Sequence, residues 1–184
     1  MKQGIDAPYT PSWYALYTRA RHEKKVESAL RQHGLEAYLP LLARESQWHD
    51  RKKTILWPMF PSYIFARFDS RQTAQVVALP GVASVVKTGN RPATILASEI
   101  DNIRLLVSSV TGAGKLSAPV PLVEQGQVVS VTEGPFAGVT GRVVERRGDG
   151  RVLLQIGVSA IGQGVRLEIK ASSVRPSRRQ PVRR

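Results

Sequence analysis

The alternation of apolar and polar positions in the first half of the chain predicts strands and helices that follow one another. Residues 13–17 and 63–68 are rich in aromatic side chains, which is typical of strands. Residues 20–33 carry apolar or semi-apolar side chains at helical spacing, and Gly34 follows where a left-handed residue ends a helix. Four further segments are predicted: strands at 35–41 and 82–86, and helices at 72–79 and from Ser98 onward.

Residues 48–53 are polar and charged, which indicates a loop or a hairpin arm. The resulting order is β-α-β-β-α-β-α. Helices in this order must cover one face of a mainly antiparallel sheet, so we expect a ferredoxin-like α+β arrangement. Thr18 and Ser98 are the predicted helix caps.

The second half changes character, because nine of the 15 glycines fall between Gly126 and Gly164. Short β-branched runs alternate there with turn residues, and Asp149-Gly150 is a hairpin signal. Five short strands in so small a domain predict a closed, all-β, SH3-like barrel. We therefore divide the chain into an N-terminal tail (1–11), a first domain (12–110), a flexible linker (111–121), the barrel (122–176) and a basic tail (177–184).

The charge narrows the choice of partner. The chain carries 27 Lys and Arg against 14 Asp and Glu, a net charge of +13, and five of its arginines fall in residues 171–184. Such a field attracts polyanions, which favours nucleic acid or a ribonucleoprotein surface over solubility alone. There is no cysteine, no secretory signal and no apolar run of membrane length, so we expect a cytoplasmic monomer without a membrane partner.

No catalytic constellation is present in the sequence. His22 and His33 lie eleven residues apart, too far along one helix to share a metal ion. No phosphate-binding or dinucleotide-binding glycine motif follows a strand. We predict a binding protein with no catalytic residue, no metal and no cofactor.

An aromatic segment offers a candidate docking surface. Pro61 forces an extended entry into the strand that follows, and Tyr63 and Phe65 then share one face. If helices cover only the opposite face, these rings and Phe60 form an exposed apolar patch, to which Tyr17 and Ile100 can be added. The alternative is that the aromatics belong to the core, since both faces of this strand are apolar.

Two motifs together carry a family resemblance. The segments Ser12-Trp-Tyr-Ala-Leu-Tyr17, Phe60-Pro-Ser-Tyr63, Pro80-Gly81-Val82 and Arg91-Pro92 resemble the N-terminal (NGN) domain of the NusG family of transcription elongation and antitermination factors. Residues 128–145 resemble the KOW motif of its C-terminal barrel. The match extends over about residues 12–176, and its spacing is closest to the specialised RfaH and UpxY type.

The resemblance implies how the first domain would bind RNA polymerase. It assigns an apolar pocket for the clamp helices of the β′ subunit to Tyr17, Phe60, Pro61, Tyr63, Phe65 and Ile100. Thr73 is the one residue retained from a His-Thr-Thr contact to the β gate loop. Arg19 and Lys25 match basic positions near the non-template DNA strand, and we add Arg21 and Lys24 on charge alone.

The barrel is expected to recruit a second partner. Where the general factor has a Phe that helps bind Rho or ribosomal protein S10, this chain has Ile161, followed by Gly162. The departure weakens the case for Rho and leaves S10 open. Phe136, the large side chain expected to fill the barrel end, is the third candidate for partner binding beside Ile161 and Gly162. Glycines throughout the barrel argue against a switch to a helical hairpin.

The expected function is a factor that binds the polymerase clamp, suppresses pausing or termination, and recruits a partner through its KOW domain. The alternative is an RNA-binding or ribosome-associated KOW protein, held to RNA by the barrel and the Arg-rich tail. A small enzyme is disfavoured, because no site for one is found.

Overall fold

The structure is a computed structural model that describes residues 10–48, 51–110, 116–123 and 125–177, without the side chains of residues 44–48 and 51–53. Most of both predicted tails and the first part of the predicted linker lie outside the described residues. In chain order the elements are β1 (Ser12–Thr18), α1 (Glu23–Gln32), β2 (Glu36–Tyr38), β3 (Leu41–Trp48), β4 (Arg51–Pro58), β5 (Tyr63–Phe68), α2 (Thr73–Val77), β6 (Val82–Val85), β7 (Lys87–Thr88), β8 (Arg91–Pro92), β9 (Thr94–Ile95), α3 (Ala97–Ser109), β10 (Val120–Pro121), β11 (Val128–Val131), β12 (Thr140–Arg146), β13 (Arg151–Val158), β14 (Gln163–Lys170) and β15 (Val174–Pro176).

Contacts divide the described chain into two units. The first comprises residues up to Leu39 together with Ser62–Ile95, and the second comprises Pro40–Pro61 together with the residues from Leu96 onward. The predicted boundary at residue 110 differs from this division, because α3 groups with the barrel.

The first unit is built on an antiparallel sheet of order β2-β5-β1-β6, with β9 also paired to β1. β5 is central and matches the predicted strand in both bounds. Ile64 and Phe65 point to opposite faces of β5, yet both are fully buried. Tyr14 and Phe68 add a ring contact with centroids 4.6 Å apart. The sheet is therefore covered on both faces along β5.

Helix α1 is shorter than predicted and begins at Glu23. The predicted cap, Thr18, is a buried residue at the end of β1, and His22 precedes the helix without a side-chain cap. The predicted end is confirmed, since Gly34 has a φ of +73°. The predicted helix at 72–79 is a 3₁₀ turn, Ser70–Gln72, followed by the five residues of α2.

The second unit contains a hairpin, β3 and β4, whose strands the sequence pattern does not predict in full. β3 and β4 have eight residues each and pair from Leu41 with Pro58 to Trp48 with Arg51. The predicted strand at 35–41 is in fact β2 and the first residue of β3. Charged residues interrupt the apolar pattern of both hairpin strands, which is why the segment gave no clear strand signal.

The barrel is a six-stranded antiparallel sheet of order β10-β14-β13-β12-β11-β15, one strand more than predicted. Its core is formed by inward-facing β-branched and leucine side chains, among them Val129, Val139, Val152, Leu154, Ile156 and Val165. The predicted fold class, an α+β region followed by an all-β barrel, is confirmed.

Helix α3 contacts the barrel within the second unit. The Glu99 carboxylate accepts hydrogen bonds from the backbone N–H and the hydroxyl of Ser159, at 3.0 and 2.7 Å. Its other oxygen accepts from the Leu96 N–H at 3.2 Å and so caps the helix. Ser98, the predicted cap, lies inside the first turn instead.

Candidate partner-binding surfaces

Two tyrosines lie side by side at one end of the first sheet. Tyr17, near the end of β1, is directly opposite Tyr63, the first residue of β5. Their ring centroids are 5.3 Å apart at an interplanar angle of 64°, an edge-on contact. Tyr17 is 45% exposed and Tyr63 is half-buried. This pair, hereafter the tyrosine pair, offers aromatic surface with polar hydroxyl groups to a partner.

The backbone before Tyr63 is held from two sides. Ser62 has a φ of +65°, in the left-handed region that L side chains rarely occupy. Its N–H donates to Oε1 of Glu23 at 2.8 Å, and its carbonyl accepts from the Thr18 N–H at 2.8 Å. One residue of α1 and one residue of β1 therefore each form a hydrogen bond with the backbone of Ser62, the residue before β5.

The remaining members of the predicted apolar pocket are buried. Phe60, Phe65 and Ile100 each have 0% exposure, so the prediction of an exposed hollow lined by these side chains is wrong. For Phe65 the reason is its place on the central strand, where both faces of the sheet are covered. The core interpretation left open by the sequence therefore describes these three residues. Pro61 is exposed.

Thr73 is half-buried at the start of α2. Its hydroxyl donates to the Ser70 carbonyl at 2.5 Å, a bond that holds the residue in the turn before the helix. A partner that hydrogen-bonds this hydroxyl must share it with, or take it from, that carbonyl.

Part of the basic set converges on one cleft. Arg19, His22 and Lys25 line a cleft of about 500 Å³ whose other walls are Ala29 and residues 77–82. Gly81 has a φ of +98°, and a Cβ there would lie 3.1 Å from Cβ of His22, so the chain passes close beneath the helix start. The cleft combines cationic side chains with an apolar wall.

The other two basic candidates do not join this cleft. Lys24 lines a separate, shallower depression with Glu27 and Arg31, and Arg21 is exposed in the turn before α1. Sequence reasoning considered His22 only as a metal ligand and did not include it among the basic candidates. Its three-residue spacing from Lys25 was the signal, because residues at i and i+3 share one helical face.

The barrel candidates occupy two places. Phe136 is buried and lines a groove of about 480 Å³ with the Glu133–Pro135 turn, Glu168 and Ile169. Ile161 ends a 3₁₀ turn, Ser159–Ile161, and Gly162 follows it with a left-handed φ of +62°. Neither Ile161 nor Gly162 lines the groove of Phe136.

Within the described ranges, no group of three His, Asp or Glu side chains is placed to hold a metal ion. No helix there is both long enough and apolar enough to cross a membrane.

Comparison with known proteins defines the class. The family profile described as "Transcription termination factor nusG" matches residues 11–104, more than half of the chain. The chain belongs to the NusG family, and it is a transcription termination/antitermination factor of that family.

Individual relatives carry the name of that family. The chain is similar to "Transcription termination/antitermination protein NusG" of Rickettsia bellii, with 24% identity over 90% of both chains. It is also similar to the NusG of Campylobacter jejuni, at 27% identity over 90% of this chain and 97% of that one. Among solved structures it is similar to NusG of Thermotoga maritima, at 20% identity, 91% and 97% coverage and a TM-score of 0.49.

Proposed function

We propose that this chain binds transcribing RNA polymerase through the tyrosine pair, and that the clamp helices of the β′ subunit are the segment it receives. Membership of the NusG family and the exposure of Tyr17 beside Tyr63 support this. The exposed pair is the observation that carries the proposal, because it is the part of the predicted pocket that a partner can reach. Phe65, which is buried in the same unit as the pair, would act by supporting the surface rather than by touching the partner, and the buried Phe60 and Ile100 would not touch the partner either.

The effect on transcription would follow from differential binding. A factor that fits only the closed clamp shifts the polymerase toward its elongating state and suppresses pausing or termination. Thr73 would add a second contact at the β gate loop, provided its hydroxyl is released from the Ser70 carbonyl. We propose a binding role without catalysis, in the cytoplasm, with one copy of the chain per polymerase.

The basic cleft would face nucleic acid. Arg19 and Lys25 would neutralise phosphates of the non-template strand, and His22, which lines the same cleft, would lie beside that strand. Arg21 and Lys24 do not line this cleft and would contribute only to the general positive field. The barrel would recruit ribosomal protein S10 through Ile161 and Gly162, with Rho the less supported partner because the aromatic residue is missing.

Truncation of the tyrosine pair tests the proposal. We expect Tyr17→Ala and Tyr63→Ala each to weaken binding to core RNA polymerase by at least tenfold in a direct titration, with the circular dichroism spectrum unchanged. Val123→Ala, which trims an exposed apolar side chain of the barrel, is the matched control and should bind as the parent does. Parental affinity in both tyrosine variants would overturn the proposal. Salt-sensitive RNA binding without polymerase affinity would favour the RNA-binding alternative.

A further inference from the structure

The Glu23 carboxylate is a buried acid that none of the roles above uses. Glu23 is the first residue of α1 and is only 6% exposed. Burying a carboxylate is unfavourable unless it is paired or hydrogen-bonded. Within the described residues the carboxylate forms no ion pair. It accepts a hydrogen bond from the N–H of Ser62, which lies 39 residues further along the chain.

Ser62 is a residue whose conformation depends on outside support. A glycine adopts a positive φ without steric penalty, whereas a serine at +65° does so only where its surroundings hold it. The supports are the Glu23 carboxylate on the amide side and the Thr18 N–H on the carbonyl side. A hydrogen bond to an ionised acceptor is stronger than one to a neutral amide oxygen.

The direction in which the chain leaves Ser62 determines where Tyr63 begins β5. Tyr63 meets Tyr17 through both the strand register and the edge-on ring contact. A change in the turn at Ser62 therefore changes the geometry of the tyrosine pair, and Glu23 acts on that pair through its hydrogen bond to the Ser62 N–H.

We propose that Glu23 is the positioning residue of the tyrosine pair: its carboxylate locks the left-handed turn at Ser62 and so orients Tyr63 against Tyr17 for the partner. This inference rests on the proposed function for its consequence, but the geometric part stands on its own and is measured separately. Glu23 makes no contact with the partner in this account.

The experiment uses the full chain with three substitutions. Glu23→Ala removes the acceptor, Glu23→Gln keeps a neutral acceptor, and Glu27→Ala removes a carboxylate of the same helix that pairs with Arg31. The last is the control for helix charge. Two readouts are taken by NMR, the hydrogen exchange rate of the Ser62 amide and the ring contacts between Tyr17 and Tyr63, and a third is affinity for core RNA polymerase.

We expect exchange at Ser62 to be fastest in Glu23→Ala, intermediate in Glu23→Gln and slowest in the parent and in Glu27→Ala. The ring contacts should weaken in the same order, and Glu23→Ala should bind polymerase at least tenfold less tightly. Unchanged Ser62 exchange and ring contacts in Glu23→Ala would overturn the inference. Should Glu23→Ala fail to fold, Glu23→Gln decides: exchange equal to that of the parent contradicts the positioning role, and faster exchange supports it.

A substitution at Ser62 itself separates a positioning role of Glu23 from a general structural role. Ser62→Gly removes the need for an outside support of the left-handed turn, so the tenfold loss caused by Glu23→Ala should shrink below threefold in that background. Equal losses in both backgrounds would mean that the two residues act independently and would contradict the inference. If the parent itself does not bind polymerase, the proposed function fails while the exchange and ring measurements still test the positioning role.

Discussion

The side-chain amide of Asn102 is matched to the backbone of Thr140: Nδ2 donates to the Thr140 carbonyl at 2.7 Å, and Oδ1 accepts from the Thr140 N–H at 2.8 Å. One side chain of α3 therefore satisfies both polar backbone groups of a half-buried residue on the barrel. The two hydrogen bonds between Asn102 and Thr140 are hereafter called the fork. Together with the bonds between Glu99 and Ser159, the fork fixes α3 against the barrel.

Asn102→Ala should loosen that contact. Thr140 loses the partner of its N–H and of its carbonyl, and leaving such groups unpaired costs about 1 kcal/mol or more. The measurement is hydrogen exchange at the Thr140 amide, which should speed up. Asp101→Ala on the same helix removes an exposed carboxylate paired with Arg104, and exchange at Thr140 should not change in that control. Unchanged exchange in Asn102→Ala would contradict the role assigned to the fork.

Truncation should lower the free energy of unfolding much more at Phe65 than at Tyr17. Phe65 is fully buried, so Phe65→Ala should lower the free energy of unfolding by about 3–5 kcal/mol. Tyr17→Ala removes a half-exposed ring and its edge contact and should lower it by only about 1 kcal/mol. Urea unfolding followed through the amide signals of β1 and β5 measures both. A small loss for Phe65→Ala would mean that this ring is surface after all.

The ion pair of Asp69 predicts how stability changes in acid. Hydrogen bonds from the Arg71 guanidinium, then from the backbone N–H groups of Arg71 and Thr10, hold the pKa of Asp69 well below its usual value of 3.8. A depressed pKa in the folded state means that the stabilisation is complete above pH 3.8 and is lost as the pH falls through the lower, folded value.

Asp69→Asn should therefore melt at a lower temperature than the parent at pH 7, and the difference should narrow as the pH is taken below 3.8. Asp101→Asn, which replaces an exposed carboxylate, is the control, and its melting temperature should stay close to that of the parent at each pH. The difference in melting temperature between Asp69→Asn and the parent could instead stay constant from neutral to strongly acidic solution. That result would contradict the stabilising role assigned to the ionised Asp69.

The basic cleft predicts a difference between two neighbouring lysines. Lys25 lines the cleft with Arg19, whereas Lys24 lies beside Glu27. Lys25→Ala and Arg19→Ala should each reduce the slope of log affinity against log salt for single-stranded DNA by about 0.7, the contribution of one phosphate contact. Lys24→Ala carries the same change in charge and should leave the slope near that of the parent. Equal slopes for all three variants would place the DNA elsewhere.

The features that the sequence predicts well are those encoded locally. The bounds of β5 and the end of α1 at Gly34 follow from alternation and from one glycine. The burial of both faces of β5 could not be predicted, because Ile64 and Phe65 are both apolar and alternation does not tell a covered face from an open one. The error about Phe65 arose there.

The contacts that sequence reasoning missed join residues far apart in the chain. Glu23 and Ser62 are separated by 39 positions, and Asn102 and Thr140 by 38. Polar side chains such as those of Glu23 and Asn102 are common on helices, so the sequence does not single them out. Their roles depend on which backbone group the tertiary fold brings next to them. The family resemblance assigns residues to partner binding, and that assignment stays a prediction; it carries no information on how the surface is held.

Photo-crosslinking from the tyrosine pair tests the central claim most directly. A photoreactive phenylalanine derivative at position 17 should crosslink to the β′ subunit of RNA polymerase, within its clamp helices, when the full chain is added to elongation complexes. The same derivative at position 123, an exposed position on the barrel, is the control and should not reach that segment. We predict β′ clamp-helix crosslinks from position 17 alone. Crosslinks from position 17 that fall on another subunit, or none above the control, would contradict the account.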